Sequence, residues 1–151
     1  MKISTRGRYG ARAMIELAKG YRRSPMHAAE IARSQDISLK YLEAILAILK
    51  SAGLVNSSRG RNGGYSLAKP PEEISMYAIL SPLEDSINFV HCTGSEVGCD
   101  RVEQCVTRAV WVELKVATEK ILKSHTLDTL VARWEMMSNP SRPCEIIEEV
   151  T

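Results

Sequence analysis

The sequence is poor in aromatic residues, since Trp, Tyr and Phe together make up 5% of its 151 residues and Phe occurs once. This scarcity favours a helical core of Leu, Ile, Ala and Val over a sheet-rich sandwich. No apolar run approaches the roughly 20 residues that a membrane-spanning helix needs. The first residues contain neither an apolar signal stretch nor a cleavage site. We therefore expect a protein without membrane contact that stays in the cytoplasm.

Histidine is also scarce, with three residues in the chain, and no nucleophile motif surrounds any of the four cysteines. An enzyme that uses a thiolate nucleophile needs a base and an anion-stabilising group beside it. Neither is visible in the sequence, so we expect that the protein is not an enzyme.

The net charge of +2 conceals an uneven distribution along the chain. Residues 1–70 hold 13 of the 20 lysines and arginines but 4 of the 18 acidic residues, a net charge of +9. Residues 71–151 carry the remainder, a net charge of −7. Unless this is chance variation of the surface, one half faces a polyanion and the other does not.

The basic half has the hydrophobic periodicity of three short helices, at residues 4–19, 26–35 and 39–52. Ser38 is a good N-cap for the third helix because its hydroxyl can accept a free backbone amide. Two short strands follow, at residues 54–58 and 65–67, joined by a glycine-rich turn. Three helices and a β-hairpin are the plan of a winged helix-turn-helix, so we predict a mainly α fold with one small β-hairpin.

In the acidic half, the sequence predicts a short helix near residues 75–80. Residues 83–104 have no clear hydrophobic periodicity, so we expect a loop there. A long helix from about Cys105 to Lys123 and a last helix from Thr126 to about Met137 complete it. The long helix has an apolar face made of Val106, Val110, Leu114, Ala117 and Ile121.

A winged helix-turn-helix suits duplex DNA, because a helix fits the major groove, where each base pair shows a distinct donor and acceptor pattern. The third helix should enter with its N-terminal residues leading, and these include Ser38, Lys40, Tyr41 and Glu43. Phosphates repel the carboxylate of Glu43. It is tolerated if it accepts a hydrogen bond from cytosine N4 or if a basic neighbour holds it away.

The predicted wing turn carries Arg59, Gly60 and Arg61. Arginine at a hairpin tip suits a narrow minor groove, where the negative potential is enhanced. Phosphate contacts are also expected from three arginines of the first helix, Arg6, Arg8 and Arg12. The alternatives are basic side chains that only solvate a small helical domain, and a winged helix that binds protein instead of DNA.

Three of the four cysteines lie within fourteen residues, at Cys92, Cys99 and Cys105. Their spacing differs from that of a zinc ribbon and leaves loops that can wrap a bulky iron–sulfur cluster, for which thiolates are the usual ligands. We expect Cys105 at the start of the long helix, where the helix dipole favours a thiolate. Unrelated cysteines, a zinc site and a thiol sensor remain alternatives.

Three segments at residues 1–10, 37–43 and 53–65, together with the three cysteines and residues 109–111 and 126–127, resemble the IscR-type bacterial transcription regulators. The resemblance extends to about residue 130. It implies a winged-helix homodimer, joined mostly by the long helix, that represses or activates promoters in double-stranded DNA. It also implies the DNA-facing residues, which are Ser38, Lys40, Tyr41, Glu43, Arg59, Gly60 and Arg61.

The resemblance further implies an iron–sulfur cluster, most simply [2Fe-2S], held by Cys92, Cys99 and Cys105. IscR-type proteins of the best-known kind have a histidine three residues beyond the third cysteine, where this sequence has Arg108, and a guanidinium stays protonated and does not ligate. The related NsrR type uses an acidic residue near the N-terminus of the partner, where this sequence has Arg8. Candidate fourth ligands are His91, Asp100, Glu103, His125, Cys144, His27 of the partner subunit, or a small molecule.

The predicted organisation is a DNA-binding domain at residues 1–70, a cysteine-loop and dimerisation region at 71–137, and a flexible tail at 138–151. The predicted function is a repressor-type regulator that senses cluster status at promoters such as those of cluster-assembly genes. The alternative is a winged-helix regulator whose cysteines form a thiol, redox or zinc sensor.

Overall fold

The helices and strands of the computed structural model, which describes residues 3–60, 63–87, 90, 93 and 102–138, follow the predicted order. They are α1 (Thr5–Lys19), α2 (Ala28–Gln35), α3 (Leu39–Ser51), β1 (Val55–Ser58), β2 (Gly64–Leu67), α4 (Met76–Leu80), α5 (Arg108–Ser124) and α6 (Leu127–Ser138). Short 3₁₀ turns occur at Pro71–Glu73 and Val102–Gln104. The predicted fold class, mainly α with one hairpin, is confirmed. Residues 139–151, which make up most of the predicted flexible tail, lie outside the described residues.

Serine side chains cap the N-termini of α1 and α3. The Ser4 hydroxyl accepts a hydrogen bond from the Gly7 N–H at 3.0 Å, and the Ser38 hydroxyl accepts one from the Tyr41 N–H at 3.3 Å. Each bond satisfies one backbone donor that the first helical turn leaves unpaired. The predicted N-cap at Ser38 is therefore confirmed.

Helix α2 begins two residues later than its periodicity predicts. Met26 is held in extended backbone by an antiparallel bridge to Tyr65, in which the two residues exchange backbone hydrogen bonds of 2.9 and 2.8 Å. The helix therefore starts after His27, whose N–H donates to the Glu30 carboxylate at 3.0 Å. This bridge adds a third extended segment beside the hairpin.

The hairpin pairs Val55 with Leu67 at its base and Ser58 with Gly64 near its tip. Gly64 has a φ of +150°, and a Cβ at this position would lie 2.5 Å from the carbonyl oxygen of Met26. A side chain is excluded here because the extended backbone at Met26 passes directly alongside.

One apolar core joins both halves of the chain. The predicted buried stripe of α3 is confirmed, and it consists of Leu42, Ile45, Leu46 and Leu49. The same cluster contains Met14 and Leu17 of α1 together with Ile79 and Leu127 from the acidic half. Each of these large side chains contributes about 1.5–3 kcal/mol when fully buried. The division of the chain at residue 70 stays a prediction.

Helix α5 begins at Arg108, three residues beyond Cys105, so the prediction that Cys105 starts the long helix is wrong. A 3₁₀ turn at Val102–Gln104 precedes Cys105, and the Cys105 carbonyl accepts from the Arg108 N–H at 3.1 Å in a further turn. None of the residues of α5 is buried. In the described ranges, every helix is too short or too polar to cross a membrane.

The α5–α6 corner is fixed to the rest of the molecule at the start of α4. The Met76 N–H donates to the His125 carbonyl at 2.8 Å, and the Leu127 N–H donates to the Ile74 carbonyl at 2.9 Å. Farther along α6, the Lys19 ammonium of α1 lies 3.7 Å from the centroid of the Trp134 ring. These contacts fix α6 against the winged-helix part.

Candidate nucleic-acid interface and cysteine site

Helix α3 presents a polar face opposite its buried stripe. Ser38, Lys40, Tyr41 and Glu43 are all exposed there, as the periodicity of the sequence predicts. Among the described residues, neither the Lys40 ammonium nor the Glu43 carboxylate has a hydrogen bond or an ion pair. Both charges are therefore available to an external partner.

The Tyr41 side chain is held by a ring contact with Tyr9 of α1. The two rings pack edge to face, with centroids 6.0 Å apart and planes at 81°. The Arg12 guanidinium carbon lies 5.5 Å from the Tyr9 ring centroid. An edge-to-face aromatic pair restricts both rings, so α1 orients one of the predicted DNA-facing side chains. The hydrophobic periodicity of residues 4–19 does not reveal this contact, because Tyr9 and Tyr41 lie on different helices far apart in the sequence.

The wing starts directly after β1. Arg59 and Gly60 are exposed and follow Ser58, the last residue of the ladder before the turn. Lys50 at the end of α3 donates to the Ser57 hydroxyl at 2.5 Å, which fixes β1 against α3. Arg61 lies outside the described residues.

All three arginines of α1 have hydrogen-bond partners within the chain, which the sequence did not reveal. Arg8 donates to the Thr5 hydroxyl of the same helix at 3.2 Å, whereas Arg6 and Arg12 reach groups outside α1. Arg6 donates to the Leu83 carbonyl at 2.5 Å and to the Asp85 carboxylate at 3.0 Å. Arg12 donates to the side chain of Gln35 at 2.8 Å and to its carbonyl at 2.5 Å. These bonds connect α1 to the segment after α4 and to the end of α2, and the expected phosphate contacts of these arginines stay a prediction.

Cys105 is a partly exposed free thiol. Its Sγ lies 3.3 Å from the Thr107 hydroxyl oxygen. This hydrogen bond lowers the pKa of the Cys105 thiol, and the backbone N–H groups of Arg108 and Thr107 and the positive charge of Arg108 act in the same direction. Stabilising the thiolate makes the sulfur a better nucleophile and metal ligand.

Arg108 occupies the position at which the IscR-type resemblance implies a histidine. Its Nε is buried and has no hydrogen-bond partner among the described residues. A guanidinium offers donors and no lone pair, so Arg108 cannot replace a ligating imidazole. Cys92 and Cys99 lie outside the described residues, as do His91, Asp100 and Cys144.

The donor chemistry of the three cysteines fits an iron–sulfur cluster, which takes thiolate ligands. Within the ranges that the structure describes, no group of three His, Cys, Asp or Glu side chains converges on a metal site. His125 follows the C-terminus of α5, and the 17 residues of that helix place it about 25 Å from the Arg108 end. His125 therefore cannot join Cys105 at one site in the same chain.

Thr93, which follows Cys92 in the sequence, contacts α5. The Lys115 ammonium donates to the Thr93 carbonyl at 3.1 Å, and Thr93 is buried. The contact places Thr93 beside the middle of α5.

A three-helix head with an exposed recognition helix, followed by a hairpin wing with an arginine, defines a winged helix-turn-helix DNA-binding regulator. A family model described as Rrf2, iron-dependent transcriptional regulator, matches residues 3–133. The chain belongs to the Rrf2 family of transcriptional regulators.

Individual relatives agree with this assignment. The HTH-type transcriptional regulator IscR of Pectobacterium carotovorum is 35% identical over 142 residues, which are 94% of this chain and 86% of the relative. The structure of T. potens IscR has 34% identity and a TM-score of 0.74, covering 95% of this chain and 94% of that one. The structure of CymR, the global cysteine regulator of B. subtilis, has 39% identity and a TM-score of 0.75, covering 87% and 97%. The predicted resemblance to IscR-type regulators is confirmed, and the relatives are regulators rather than enzymes.

Proposed function

We propose that the chain acts as a homodimer that reads promoter DNA with α3 and the wing, and that its three-cysteine segment sets when it does so. The proposed DNA-binding role is supported mainly by the exposed face of α3. There, Lys40 and Glu43 have no partner among the residues that the structure describes, Tyr41 is held beside them by Tyr9, and Arg59 extends from the wing. Ser38, Gly60 and Arg61 complete the proposed contact surface.

The DNA-binding part is tested by fluorescence anisotropy with labelled duplex DNA over a range of salt concentrations. Affinity should fall steeply as salt rises, because bound phosphates release counterions. Arg59→Ala should weaken binding, whereas Arg133→Ala, an equal change of charge on exposed α6, should not. Salt-independent binding, or equal losses in the two variants, would contradict the proposed surface.

Dimerisation is proposed on the apolar face of α5. Val110 and Ile121 are 50% and 58% exposed, and Leu114 and Val116 are exposed on the same helix. Large apolar patches on a soluble protein mark interaction surfaces. Two recognition heads joined through α5 would read two half-sites of one operator.

The sensing part is proposed to use a [2Fe-2S] cluster bound by Cys92, Cys99 and Cys105, with an additional ligand that is not Arg108. The thiolate-favouring surroundings of Cys105 support this assignment. A cluster held by these cysteines would contribute a charge that depends on its oxidation state. Loss of the cluster would remove that charge and leave the cysteines without their common ligand. Promoters such as those of cluster-assembly genes are the proposed targets.

The cluster is tested by anaerobic reconstitution with iron and sulfide. Absorbance in the visible range and bound iron should appear in the wild-type protein and be lost in Cys92→Ala. An anaerobic protein that holds zinc and shows no such absorbance would contradict the cluster.

A second candidate is a thiol or zinc sensor built on the same cysteines. It is favoured by the lowered pKa of Cys105 and by Arg108, which leaves the implied histidine position without a ligand. Mass spectrometry after mild oxidation should then show a disulfide or a modified Cys105, and metal analysis should show zinc or no metal. Iron and inorganic sulfide in the anaerobic protein would contradict this candidate.

A further inference from the structure

The first residue of the recognition helix is a leucine whose side chain lies outside the core. Leu39 is 43% exposed, whereas Leu42, Leu46 and Leu49 of the same helix are buried. Its neighbours Ser38 and Lys40 are polar and exposed. A large apolar group thus stands within a polar face that is proposed to enter the major groove.

The position of Leu39 relative to Glu43 is set by helix geometry. Residues four apart in an α-helix lie on one face with Cβ atoms about 6 Å apart. Ala44 and Ala47, also exposed on α3, have short side chains, so the backbone can approach the floor of a groove. Leu39 and Glu43 therefore point toward base pairs that are at most about two steps apart, because successive base pairs are about 3.4 Å apart.

The major groove offers a leucine one kind of apolar partner, the C5-methyl group of thymine. The other groups that distinguish the bases there are hydrogen-bond donors and acceptors, which a leucine cannot satisfy. Contact with the methyl group removes apolar surface of both partners from water. Contact with a cytosine or guanine edge would cover polar atoms without a compensating hydrogen bond.

We propose that Leu39 is a specificity-determining residue that recognises a thymine methyl group, within two base pairs of the pair contacted by Glu43. The inference rests on the proposed role of α3 in DNA binding and adds a rule for the operator. Each half-site should contain one thymine at a fixed step from the pair that Glu43 reads.

The experiment first obtains a bound duplex by repeated selection from a random-sequence pool with the full-length protein. Each thymine of the selected site is then replaced in turn by deoxyuridine, which removes the methyl group and leaves base pairing unchanged. In each half-site, one replacement should weaken wild-type binding about fourfold, the effect of exposing one methyl-sized group.

Leu39→Ala supplies the second arm of a double-mutant cycle, which isolates the pairwise interaction. This variant should bind the thymine duplex more weakly and should not distinguish thymine from uracil at the sensitive position. Leu39→Met, which keeps a long apolar side chain, should retain most of the discrimination. Because Leu39 lies outside the core, thermal unfolding of both variants should match that of the wild type.

The experiment distinguishes failure of the proposed role of Leu39 from failure of the proposed DNA binding. If duplex DNA is bound but no uracil replacement weakens binding, or if Leu39→Ala keeps the wild-type sensitivity, the proposal for Leu39 is wrong and DNA binding stands. If no duplex is selected and none is bound in a salt-dependent way, both are wrong.

Discussion

The Glu84 carboxylate accepts hydrogen bonds from both the backbone N–H and the hydroxyl of Ser4, at 3.0 and 2.9 Å, across 80 residues of sequence. Ser4 in turn caps α1 through the Gly7 N–H. Glu84 directly precedes Asp85, which pairs with Arg6 of the same helix. The segment that leads toward the cysteines is thus anchored on the first turn of the DNA-binding part.

Glu84→Ala should lower the free energy of unfolding by about 1–3 kcal/mol. The substitution leaves the partly buried Ser4 N–H without an acceptor and removes a carboxylate from the N-terminus of α1. Urea unfolding followed by circular dichroism measures the change. Asp85→Ala is the matched control, because the Asp85 side chain is fully exposed and its ion pair with Arg6 should add nothing measurable. Equal stabilities of the two variants would contradict the role of Glu84.

Gly64→Ala should destabilise the fold by about 3 kcal/mol, because the new Cβ meets the Met26 carbonyl and the backbone stays at positive φ. The same substitution at Gly53 distinguishes the steric clash from the backbone strain. Gly53 also has a positive φ, +71°, but no atom lies within 4 Å of the position of its Cβ. Gly53→Ala should therefore cost only about 1 kcal/mol, the strain term alone. Thermal and urea unfolding give both values, and a larger loss at Gly53 would argue against the close approach of Met26 to Gly64.

Local patterns explain which parts of the fold the sequence could predict. The periodicity of α3 and the cap at Ser38 depend on neighbours in sequence, so the helix and its exposed face could be read directly. The start of α2 depends on the bridge between Met26 and Tyr65, which no local pattern contains.

In the candidate site, too, local features could be predicted from the sequence, whereas contacts between distant residues could not. Exposure of Lys40 and Glu43 follows from helical periodicity, whereas the orientation of Tyr41 depends on Tyr9, 32 positions away in the numbering. The partner of Arg12 likewise depends on a residue distant in the sequence. Arg12 donates to both the side-chain oxygen and the backbone carbonyl of Gln35, because a guanidinium can donate to two oxygens at once.

Glu43→Ala should relax discrimination at one base pair of each half-site while leaving affinity for the remaining positions nearly unchanged. A carboxylate that accepts from cytosine N4 discriminates against other bases by about 1–3 kcal/mol, and alanine has no such preference. Competition binding with duplexes that carry every base pair at each position measures the effect. Wild-type selectivity in the variant would remove Glu43 from base recognition.

Val110→Glu should convert the proposed dimer to monomers, because it buries a charge in an apolar interface on α5. Sedimentation velocity over a range of protein concentrations measures the oligomeric state. Arg133→Glu, a charge change on exposed α6, should leave the dimer intact and serves as the control. A monomeric wild-type protein, or a Val110→Glu variant that stays dimeric, would contradict the interface on α5.

Thr107→Val should slow alkylation of Cys105 by iodoacetamide at neutral pH in the metal-free protein. The Thr107 hydroxyl is the largest cause of the lowered pKa of Cys105, so removing it raises that pKa and decreases the thiolate fraction at any pH below it. At a pH well above both values the two proteins should react at the same rate, since each thiol is then ionised.

Mass spectrometry of the Cys105 peptide separates this reaction from that of the other cysteines. Thr118→Val on α5 keeps the Thr107 hydrogen bond and should react like the wild type. A Thr107→Val rate equal to the wild type at neutral pH would show that the hydroxyl does not set the reactivity of Cys105. A rate that stays low at high pH would point to altered access to the sulfur.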